Sequence, residues 1–360
     1  MVDFTVAIPT YNGANRLPDV LEQLREQINT ENLSWEIIVV DNNSTDGTAH
    51  VVSNYQATWV ADCPLRYYFE AQQGAAFARQ QAVEQARGKF IGFLDDDNLP
   101  APDWVAAAYA FGQAYPQAGA FGSQIHGDFE SNPPEYLKSI AGFLAIIDRG
   151  GQAYRHEPKH KILPPGAGLV VRKEAWEKAV PKRLFLNHQG RETGLASEDL
   201  EAVLHIQQAG WEIWYNPGMV VAHKISPWRL EKDYLVSVVR CIGLSRHHLR
   251  MLRLTSWQRP LATLVYLVND FLKLVQHRLQ YPEVTDCDVV VACKRQLLVS
   301  SLMSPFFLGK KRYQEWAVQR VSDHWIGQVK NTFINYLPSW LSIKLFRNQS
   351  KRWNRLPPGL

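Results

Sequence analysis

The 360-residue sequence contains few cysteines, and their spacing excludes several classes of protein. None of the four forms a C-x-x-C pair, which argues against a zinc ribbon and a thioredoxin-type site. They are also too scattered to form a disulfide framework. The first residues lack a basic stretch followed by an apolar one, so we expect no secretory signal. A reducing compartment suits this composition, and we expect the protein in the cytoplasm.

The sequence also lacks the bias of disordered and fibrous chains. Hydrophobic residues make up 46% and charged residues 21%, which is typical of globular proteins. We find no internal repeat and no low-complexity segment. The length is sufficient for one large domain and a smaller one.

Long apolar runs are missing as well, so we expect no membrane-spanning helix. Residues 235–252 and 261–279 show amphipathic helical patterns instead. Two interpretations of these patterns remain open. One is a basic amphipathic helix that lies on an anionic membrane, at the inner face of the plasma membrane. The other is a helical cap that packs on the rest of the chain, with its arginines in solvent.

The overall charge of +4 hides two oppositely charged halves. Residues 1–223 contain 17 Lys and Arg against 27 Asp and Glu, whereas residues 224–360 contain 22 against 8. Such an asymmetry indicates two regions with different partners. We therefore predict a first domain over residues 1–225 and a basic, mainly helical region over residues 226–360.

The first half alternates between strand and helix signals. Residues 4–8, 35–40 and 90–94 are continuous apolar runs, each followed by a polar stop, and helical patterns lie between them. Such runs are typical of a parallel sheet covered on both faces. The alternation predicts an α/β fold with a doubly wound, mostly parallel sheet. Ligands of such sheets bind beyond the carboxyl ends of the strands, where the three polar stops are expected to converge.

Two of these polar stops carry carboxylates that could bind a ligand. Asp95, Asp96 and Asp97 form a triplet after the third run, and adjacent carboxylates suit a hard divalent cation such as Mg²⁺ or Mn²⁺. The alternative is a solvated acidic turn before a helix. Asp41, which ends the second run, could accept hydrogen bonds from a ribose or a base. Its alternative is an Asx-turn.

Three further positions carry weaker signals. Arg79 follows small residues at a helix start, which suits a phosphate, although a surface arginine is the alternative. Glu198 and Asp199 open a predicted helix, where acidic residues also complement the helix dipole. His223 ends an apolar run, and a lone histidine there is usually structural.

Taken together and in this order, the motifs resemble the inverting family 2 glycosyltransferases of the GT-A fold. The resemblance covers about residues 3 to 250. A narrower resemblance is to the hormogonium polysaccharide glycosyltransferases of filamentous cyanobacteria. The matching stretches are residues 6–12, 39–48, 74–79, 93–98, 166–168 and 198–199.

The resemblance implies a role for each matched position. Pro9, Thr10, Tyr11 and Asp41 would hold the uridine of a nucleotide-sugar, with Arg79 near the same nucleotide. Asp95, Asp96 and Asp97 stand in the place of the D-x-D motif, where Asp96 faces the ribose and Asp97 binds the metal. Asp199 would be the catalytic base, and His223 a further metal ligand. Gly166, Ala167, Gly168 and Glu198 would line the acceptor side.

One position departs from the family pattern. Many relatives have glycine just before the Glu-Asp pair, whereas this chain has Ser197. The departure leaves the geometry of that loop open.

The residue types suit sugar transfer on chemical grounds. The leaving diphosphate needs a cation, which Mn²⁺ or Mg²⁺ on carboxylates supplies. The acceptor hydroxyl needs one carboxylate base, and a single base attacking in line predicts inversion. The expected partners are a nucleotide-sugar, for which the resemblance implies UDP as the nucleotide, and a glycan or lipid-linked acceptor in polysaccharide or glycolipid biosynthesis.

Other functions remain open on the sequence alone. A nucleotidyltransferase would have a glycine-rich basic loop after the first strand. Residues 9–15 contain a single glycine, Gly13, and neither Lys nor Arg. A non-catalytic nucleotide-sugar-binding partner would lack the base or the triplet, and both are present. Nucleic-acid binding is not expected, because the basic half contains no recognised motif.

Overall fold

The computed structural model describes residues 2–59, 63–158, 163–188, 195–282 and 288–334, with residues 314–334 as backbone only. The strands are β1 (Phe4–Thr10), β2 (Trp35–Asp41), β3 (Leu65–Phe69), β4 (Phe90–Phe93), β5 (Asn98–Pro100), β6 (Ala118–Phe129), β7 (Tyr154–Arg155), β8 (Leu169–Arg172) and β9 (Glu212–Ile225). They form a mixed sheet in the order β3-β2-β1-β4-β8-β6-β9-β5, with β7 paired to β9. The longest ladders are parallel, as predicted.

The helices lie between and after these strands. They are α1 (Leu17–Arg25), α2 (Thr48–Thr58), α3 (Ala75–Gln85), α4 (Trp104–Ala114), α5 (Lys173–Ala179), α6 (Glu198–Gln208), α7 (Lys232–Leu252), α8 (Arg259–Gln280) and α9 (Val289–Ile334). Short 3₁₀ turns precede α7 and follow β6. A search of the described helices finds none with the length and hydropathy needed to cross a bilayer.

The sheet is covered on both faces, which explains its continuous apolar strands. Phe4, Val6 and Ile8 of β1 point into one hydrophobic cluster with α1 and α4. Ala7 points to the opposite face, into a second cluster with α3, α5 and α6. Strands buried on both faces are typical of doubly wound sheets, and the predicted fold class is confirmed.

The predicted convergence of strand ends is also observed. The Asn42 amide, just after β2, donates to the Thr10 carbonyl at the end of β1. The Thr10 hydroxyl in turn donates to the Asp96 carboxylate after β4, at 2.5 Å. The polar stops of the three strands therefore meet at one edge of the sheet.

The helices after β9 pack tightly against one another. A side chain at Gly243 of α7 would collide with the Ser300 hydroxyl of α9, so the glycine allows the two helices to approach closely. Arg250 of α7 binds Asp270 of α8 with both of its terminal nitrogens. Leu235 and Val239 of α7 are buried, as the helical-cap interpretation expects. Its expectation of solvated arginines is wrong for Arg250, which is only 15% exposed because it pairs with Asp270.

The chain divides into two compact units. The first comprises Met1–Pro305, and it includes every strand given above, α1 to α8 and the beginning of α9. The second comprises Phe306–Leu360, of which residues 306–334 are described and continue α9. The predicted division into residues 1–225 and 226–360 stays a prediction.

Candidate functional site

One cleft of about 730 Å³ brings most of the predicted site residues together. Its volume is in the usual range for small-molecule sites. Asp41 and Gly168 are absent from the described residues that line it. The predicted residues along its wall are Pro9, Thr10, Tyr11, Arg79, Asp95, Asp96, Asp97, Gly166, Ala167, Glu198, Asp199 and His223.

Three arginines neutralise the aspartate triplet, one for each carboxylate. Adjacent carboxylates repel one another unless cations or solvent relieve them, and here the chain supplies the cations itself. The pairs are Asp95 with Arg79 at 3.0 Å, Asp96 with Arg16 at 2.8 Å, and Asp97 with Arg229 at 2.7 Å.

The Asp96 carboxylate is held on both oxygens. Arg16 Nε lies 2.8 Å from Oδ1 and Arg16 Nη2 lies 2.9 Å from Oδ2, which is a bidentate pair. The Thr10 hydroxyl donates to Oδ2 as well. A side chain at Gly13 would collide with Thr10 and Asp96, so this glycine allows the loop after β1 to approach the triplet closely. Asp96 is therefore fixed in place before any ligand arrives.

Asp97 and His223 face each other because β5 pairs with β9. Asn98 is in register with His223 in this antiparallel ladder, which brings Asp97 Oδ2 within 3.5 Å of His223 Nε2. His223 Nδ1 lies 2.9 Å from the Leu144 carbonyl, which can only accept, so Nδ1 carries the proton and Nε2 of the neutral ring keeps a lone pair. Arg229 Nη1 donates to that Nε2 at 3.0 Å.

Burial and pairing move the pKa values of the triplet in different directions. Burial raises the pKa of Asp95 and of Asp96 above the ordinary value. Burial also acts on Asp97, but His223, when its ring carries a second proton, and the Arg229 guanidinium outweigh it and hold the pKa of Asp97 at about 2. Asp97 is thus the most firmly ionised carboxylate of the triplet.

Asp199 lies at the start of α6 and has a perturbed pKa. Its two oxygens accept hydrogen bonds from the amides of Gly166 and Leu200. Burial and the charge of Glu198 raise the pKa of Asp199 to about 6, against the lowering effect of Arg79. A carboxylate that titrates near neutral pH suits a general base.

Arg79 joins the triplet to the Glu-Asp pair. Its side chain is buried, with Nη2 bonded to Asp95 and Nη1 bonded to Glu198. A side chain at Gly166 would lie 2.8 Å from Arg79 Nη2, so the glycine leaves room for this link. The predicted nucleotide contact of Arg79 and the predicted acceptor contact of Glu198 stay predictions, since the two side chains are already paired with each other.

Asp41 and Gly168 have local structural partners. Asp41 accepts hydrogen bonds from the Ser44 amide and the Tyr67 hydroxyl, both at 2.8 Å. The contact to Ser44 is local, as the turn alternative expects, but it spans three residues rather than the two of an Asx-turn. Gly168 has a φ of +64°, which favours glycine, and its carbonyl accepts from Ser123. Their predicted roles in ligand binding remain untested.

Sequence reasoning missed several residues of the cleft. Arg16 and Arg229 neutralise two of the aspartates, yet neither lies in a motif that we had recognised. Asn42 also lines the cleft, and its side-chain amide holds the loop at Gln72 and Gly74. Asn42 follows Asp41 directly, so its position in the matched stretch could have pointed to it. Nothing local in the sequence marks Arg229.

The donor set at Asp97 and His223 fits a divalent cation. A carboxylate oxygen and an imidazole nitrogen are both ligands of Mn²⁺, and Mg²⁺ sites at phosphates use only one or two protein carboxylates. Within the described ranges, no group of three or more His, Cys, Asp or Glu side chains is placed to hold a metal. Phosphate oxygens and water would have to complete the coordination. Arg229 is bonded to both of these side chains and would have to leave them before they could bind a metal.

Comparisons with known proteins identify the family. The profile of glycosyl transferase family 2 matches residues 5–177. The chain is 32% identical over 277 residues to the glycosyltransferase AglE of Haloferax volcanii, across 76% of this chain and 83% of that relative. The chain belongs to glycosyl transferase family 2. The predicted family and the predicted class of enzyme, a glycosyltransferase, are confirmed.

Other relatives of this family 2 glycosyltransferase match over shorter segments or in fold alone. It is 34% identical over 153 residues to the uncharacterized glycosyltransferase YfnE of Bacillus subtilis, across 40% of this chain and only 38% of that protein's length. The mannosyltransferase PcManGT of Pyrobaculum calidifontis, solved with GDP-Man and Mn²⁺, is similar in fold with a TM-score of 0.53. It shares 20% identity across 84% of this chain and 86% of that one.

Proposed function

We propose that the cleft transfers a glycosyl group from a nucleoside diphosphate sugar to an acceptor hydroxyl, with inversion at the anomeric carbon. The observation that carries the proposal is the division of the cleft into two acidic sites. At one, Asp97 and His223 face each other at a cation position. At the other, Asp199 is a separate carboxylate with its pKa raised to about 6. A glycosyltransferase needs one of each.

The proposed reaction exchanges one carbon–oxygen bond for another and moves one proton. The acceptor oxygen bonds to the anomeric carbon while the bond from that carbon to the diphosphate oxygen breaks. The acceptor proton passes to Asp199, and the nucleoside diphosphate leaves with the electron pair. The amides of Gly166 and Leu200 orient the Asp199 carboxylate but leave each oxygen a further lone pair for this proton. A base that attacks in line produces inversion.

Asp97 and His223 would hold Mn²⁺ or Mg²⁺. When bound, the ion supplies a positive charge to the departing diphosphate. The hydrogen bond from His223 Nδ1 to the Leu144 carbonyl fixes the tautomer that leaves Nε2 as a ligand atom. PcManGT, whose fold is similar, was solved with Mn²⁺ and a nucleotide-sugar, which supports the proposal by analogy.

The nucleotide would lie along the ends of β1 and β4. Pro9 and Thr10 line the cleft there, and the Tyr11 ring is 43% exposed, so it offers an open face to a base. Asp41 and Asp96 are the proposed contacts to the uridine and ribose. Both carboxylates already have protein partners, so a ligand would share them. UDP is proposed over GDP or dTDP because the motifs resemble those of UDP-sugar enzymes.

The acceptor and the setting are proposed at the level of chemical class. We propose a glycan or lipid-linked acceptor in polysaccharide or glycolipid biosynthesis, with the basic helices at an anionic membrane surface. Family membership disfavours the two alternatives, a nucleotidyltransferase and a non-catalytic nucleotide-sugar-binding partner. The origin in filamentous cyanobacteria and the cytoplasmic location stay predictions.

A product assay tests the proposed reaction. Purified protein is incubated with UDP-, GDP- and dTDP-sugars in Mn²⁺, in Mg²⁺ and in chelator, with and without candidate acceptors. We expect nucleoside diphosphate release that requires both a metal and an acceptor, with a UDP-sugar as the preferred donor. Release at the same rate in chelator would contradict the proposed requirement for a metal. Release of pyrophosphate instead of nucleoside diphosphate would favour the nucleotidyltransferase.

A further inference from the structure

Arg229 occupies the position at which a metal would bind. It lies in the 3₁₀ turn Pro227–Leu230, which links β9 to α7. Its Nη1 atom donates to Asp97 Oδ2 at 2.7 Å and to His223 Nε2 at 3.0 Å. These are the two atoms whose lone pairs would coordinate the ion. A metal and this guanidinium therefore compete for the same two ligand atoms.

The other two arginines that pair with the triplet, Arg16 and Arg79, do not share this geometry. Arg16 binds only Asp96 of the triplet, and its side chain is 45% exposed. Arg79 is buried between Asp95 and Glu198, so both of its terminal nitrogens are taken by carboxylates outside the proposed metal pair. Removing Arg16 takes the same charge from the same triplet without freeing either proposed ligand atom.

Arg229 also retains donors that a bound anion could use. Its side chain is only 17% exposed, and within the described part of the chain its buried Nε has no hydrogen-bond partner. A guanidinium has five N–H donors in a fork that matches phosphate oxygens. Arg229 itself lines the cleft, together with its neighbours Trp228 and Tyr234. A buried donor left unpaired is costly, and a diphosphate in the cleft would satisfy it.

We propose that the Arg229 guanidinium occupies the metal site when no nucleotide is bound. It thereby couples metal binding to nucleotide binding. Without nucleotide, the guanidinium holds Asp97 and His223 and keeps the affinity for metal low. A diphosphate gives Arg229 a new partner, which frees the two ligand atoms. Because coupling between two ligands is reciprocal, metal and nucleotide each raise the affinity for the other by the same factor. The inference rests on the proposed metal site, and it adds a positioning residue to it.

The test measures Mn²⁺ affinity in the full-length protein by electron paramagnetic resonance, with Mn²⁺ alone and with Mn²⁺ plus UDP or GDP. The variants are Arg229→Gln, which removes the charge from the ligand pair, and Arg16→Gln as the matched control. We expect Arg229→Gln to bind Mn²⁺ alone about tenfold more tightly than the unaltered protein. Arg16→Gln should change this affinity much less. The gain in Mn²⁺ affinity on adding nucleotide should shrink in Arg229→Gln only.

Two further variants separate the failure of this inference from that of the proposed site. Arg229→Lys keeps the charge but replaces the fork by a single ammonium group, so its affinity for Mn²⁺ alone should stay below that of Arg229→Gln. Asp97→Asn should abolish binding of Mn²⁺ in the presence of nucleotide. If Asp97→Asn binds Mn²⁺ normally, the metal site itself is wrong. If Asp97→Asn fails to bind while Arg229→Gln behaves like the unaltered protein or like Arg16→Gln, only the role of Arg229 is overturned.

Discussion

At the residue scale, the cleft is an acidic site whose charges are already paired. Each aspartate of the triplet has its own arginine, and Glu198 shares Arg79 with Asp95. Asp199 differs, because its hydrogen bonds come from backbone amides and carry no compensating charge. Asp199 is therefore the carboxylate of the cleft best placed to gain a proton during a reaction.

We expect Asp199→Asn to lower turnover while leaving nucleotide binding nearly intact. The amide keeps the size of the side chain but cannot accept a proton, and general-base catalysis typically contributes about 10²–10⁴-fold. Turnover with acceptor and UDP affinity with Mn²⁺ are measured on one preparation. Loss of UDP binding as well would place Asp199 in the donor site and leave the base unidentified.

The matched control for Asp199 is its neighbour, Glu198→Gln. Adjacent helical positions point about 100° apart, and Glu198 points to Arg79 rather than to the Gly166 amide. If Glu198→Gln loses turnover while Asp199→Asn keeps it, the base is Glu198.

The raised pKa of Asp199 predicts an acid limb in the pH profile. A base works only when it is deprotonated, so turnover should rise about tenfold per pH unit below pH 6 and level off above it. Removing the negative charge of Glu198 takes away one cause of the raised pKa. Glu198→Gln should therefore move the limb to lower pH. A limb at the same pH in both proteins would mean that another group controls it.

At the element scale, the start of α6 contains a strained residue. Ser197 has a φ of +80°, in the left-handed region that favours glycine, and its side chain makes no capping hydrogen bond. The strain explains why a glycine before the Glu-Asp pair, as in the resembling family, suits this turn. Ser197 therefore carries a strain at this turn that a glycine would avoid.

We expect Ser197→Gly to stabilise the protein by about 1 kcal/mol, because the left-handed conformation costs a residue with a side chain roughly that much. Thermal unfolding of the two proteins at one concentration measures the difference. Ser197→Ala keeps the Cβ atom and the strain, so it should unfold close to the unaltered protein. Equal midpoints for all three would show that the turn relaxes without glycine.

The pairing of elements decides which parts of the site were predictable. The strands over residues 4–8, 35–40 and 90–94 are recognisable because both of their faces are buried, and their polar stops follow from that register. The contact of Arg229 with Asp97 spans 132 positions and depends on the β5–β9 ladder. A local pattern contains no information about such a pairing. Asp41 is the opposite case. Its motif is recognisable in the sequence, but the motif does not reveal that its carboxylate is bonded to Ser44 and Tyr67.

At the scale of the whole molecule, the two amphipathic helices of the basic half differ in how far their apolar faces are buried. The stripe of α7 is interior, and its Arg250 is paired with the buried Asp270. That pair turns one side of α8 inward and leaves the opposite side exposed. The large apolar residues of this exposed stripe, each 39–77% exposed, are Leu261, Leu264, Val265, Val268, Leu272, Val275 and Leu279. Their spacing of three and four residues makes one continuous row about 27 Å long.

The charges beside this row favour an anionic partner. Lys273 and Arg278 are exposed on opposite sides of the stripe, while the one acid of α8, Asp270, is buried. A helix with an apolar face and basic flanks is typical of segments that lie in a membrane interface. Each Lys or Arg near an anionic surface contributes about 1 kcal/mol, which salt screens.

We therefore expect the protein to sediment with phosphatidylglycerol vesicles much more than with phosphatidylcholine vesicles, and less so at high salt. The combined variant Leu264→Gln, Val268→Gln and Leu272→Gln should lose about tenfold or more in binding, because it removes the centre of the stripe. Ile28→Gln and Phe69→Gln are the matched controls, since these side chains are 52% and 53% exposed elsewhere and should bind normally. Equal binding to both lipids would exclude the basic flanks as the cause. A dimer in sedimentation velocity that the stripe variant dissociates, without vesicle binding, would assign the stripe to a second copy of the chain instead.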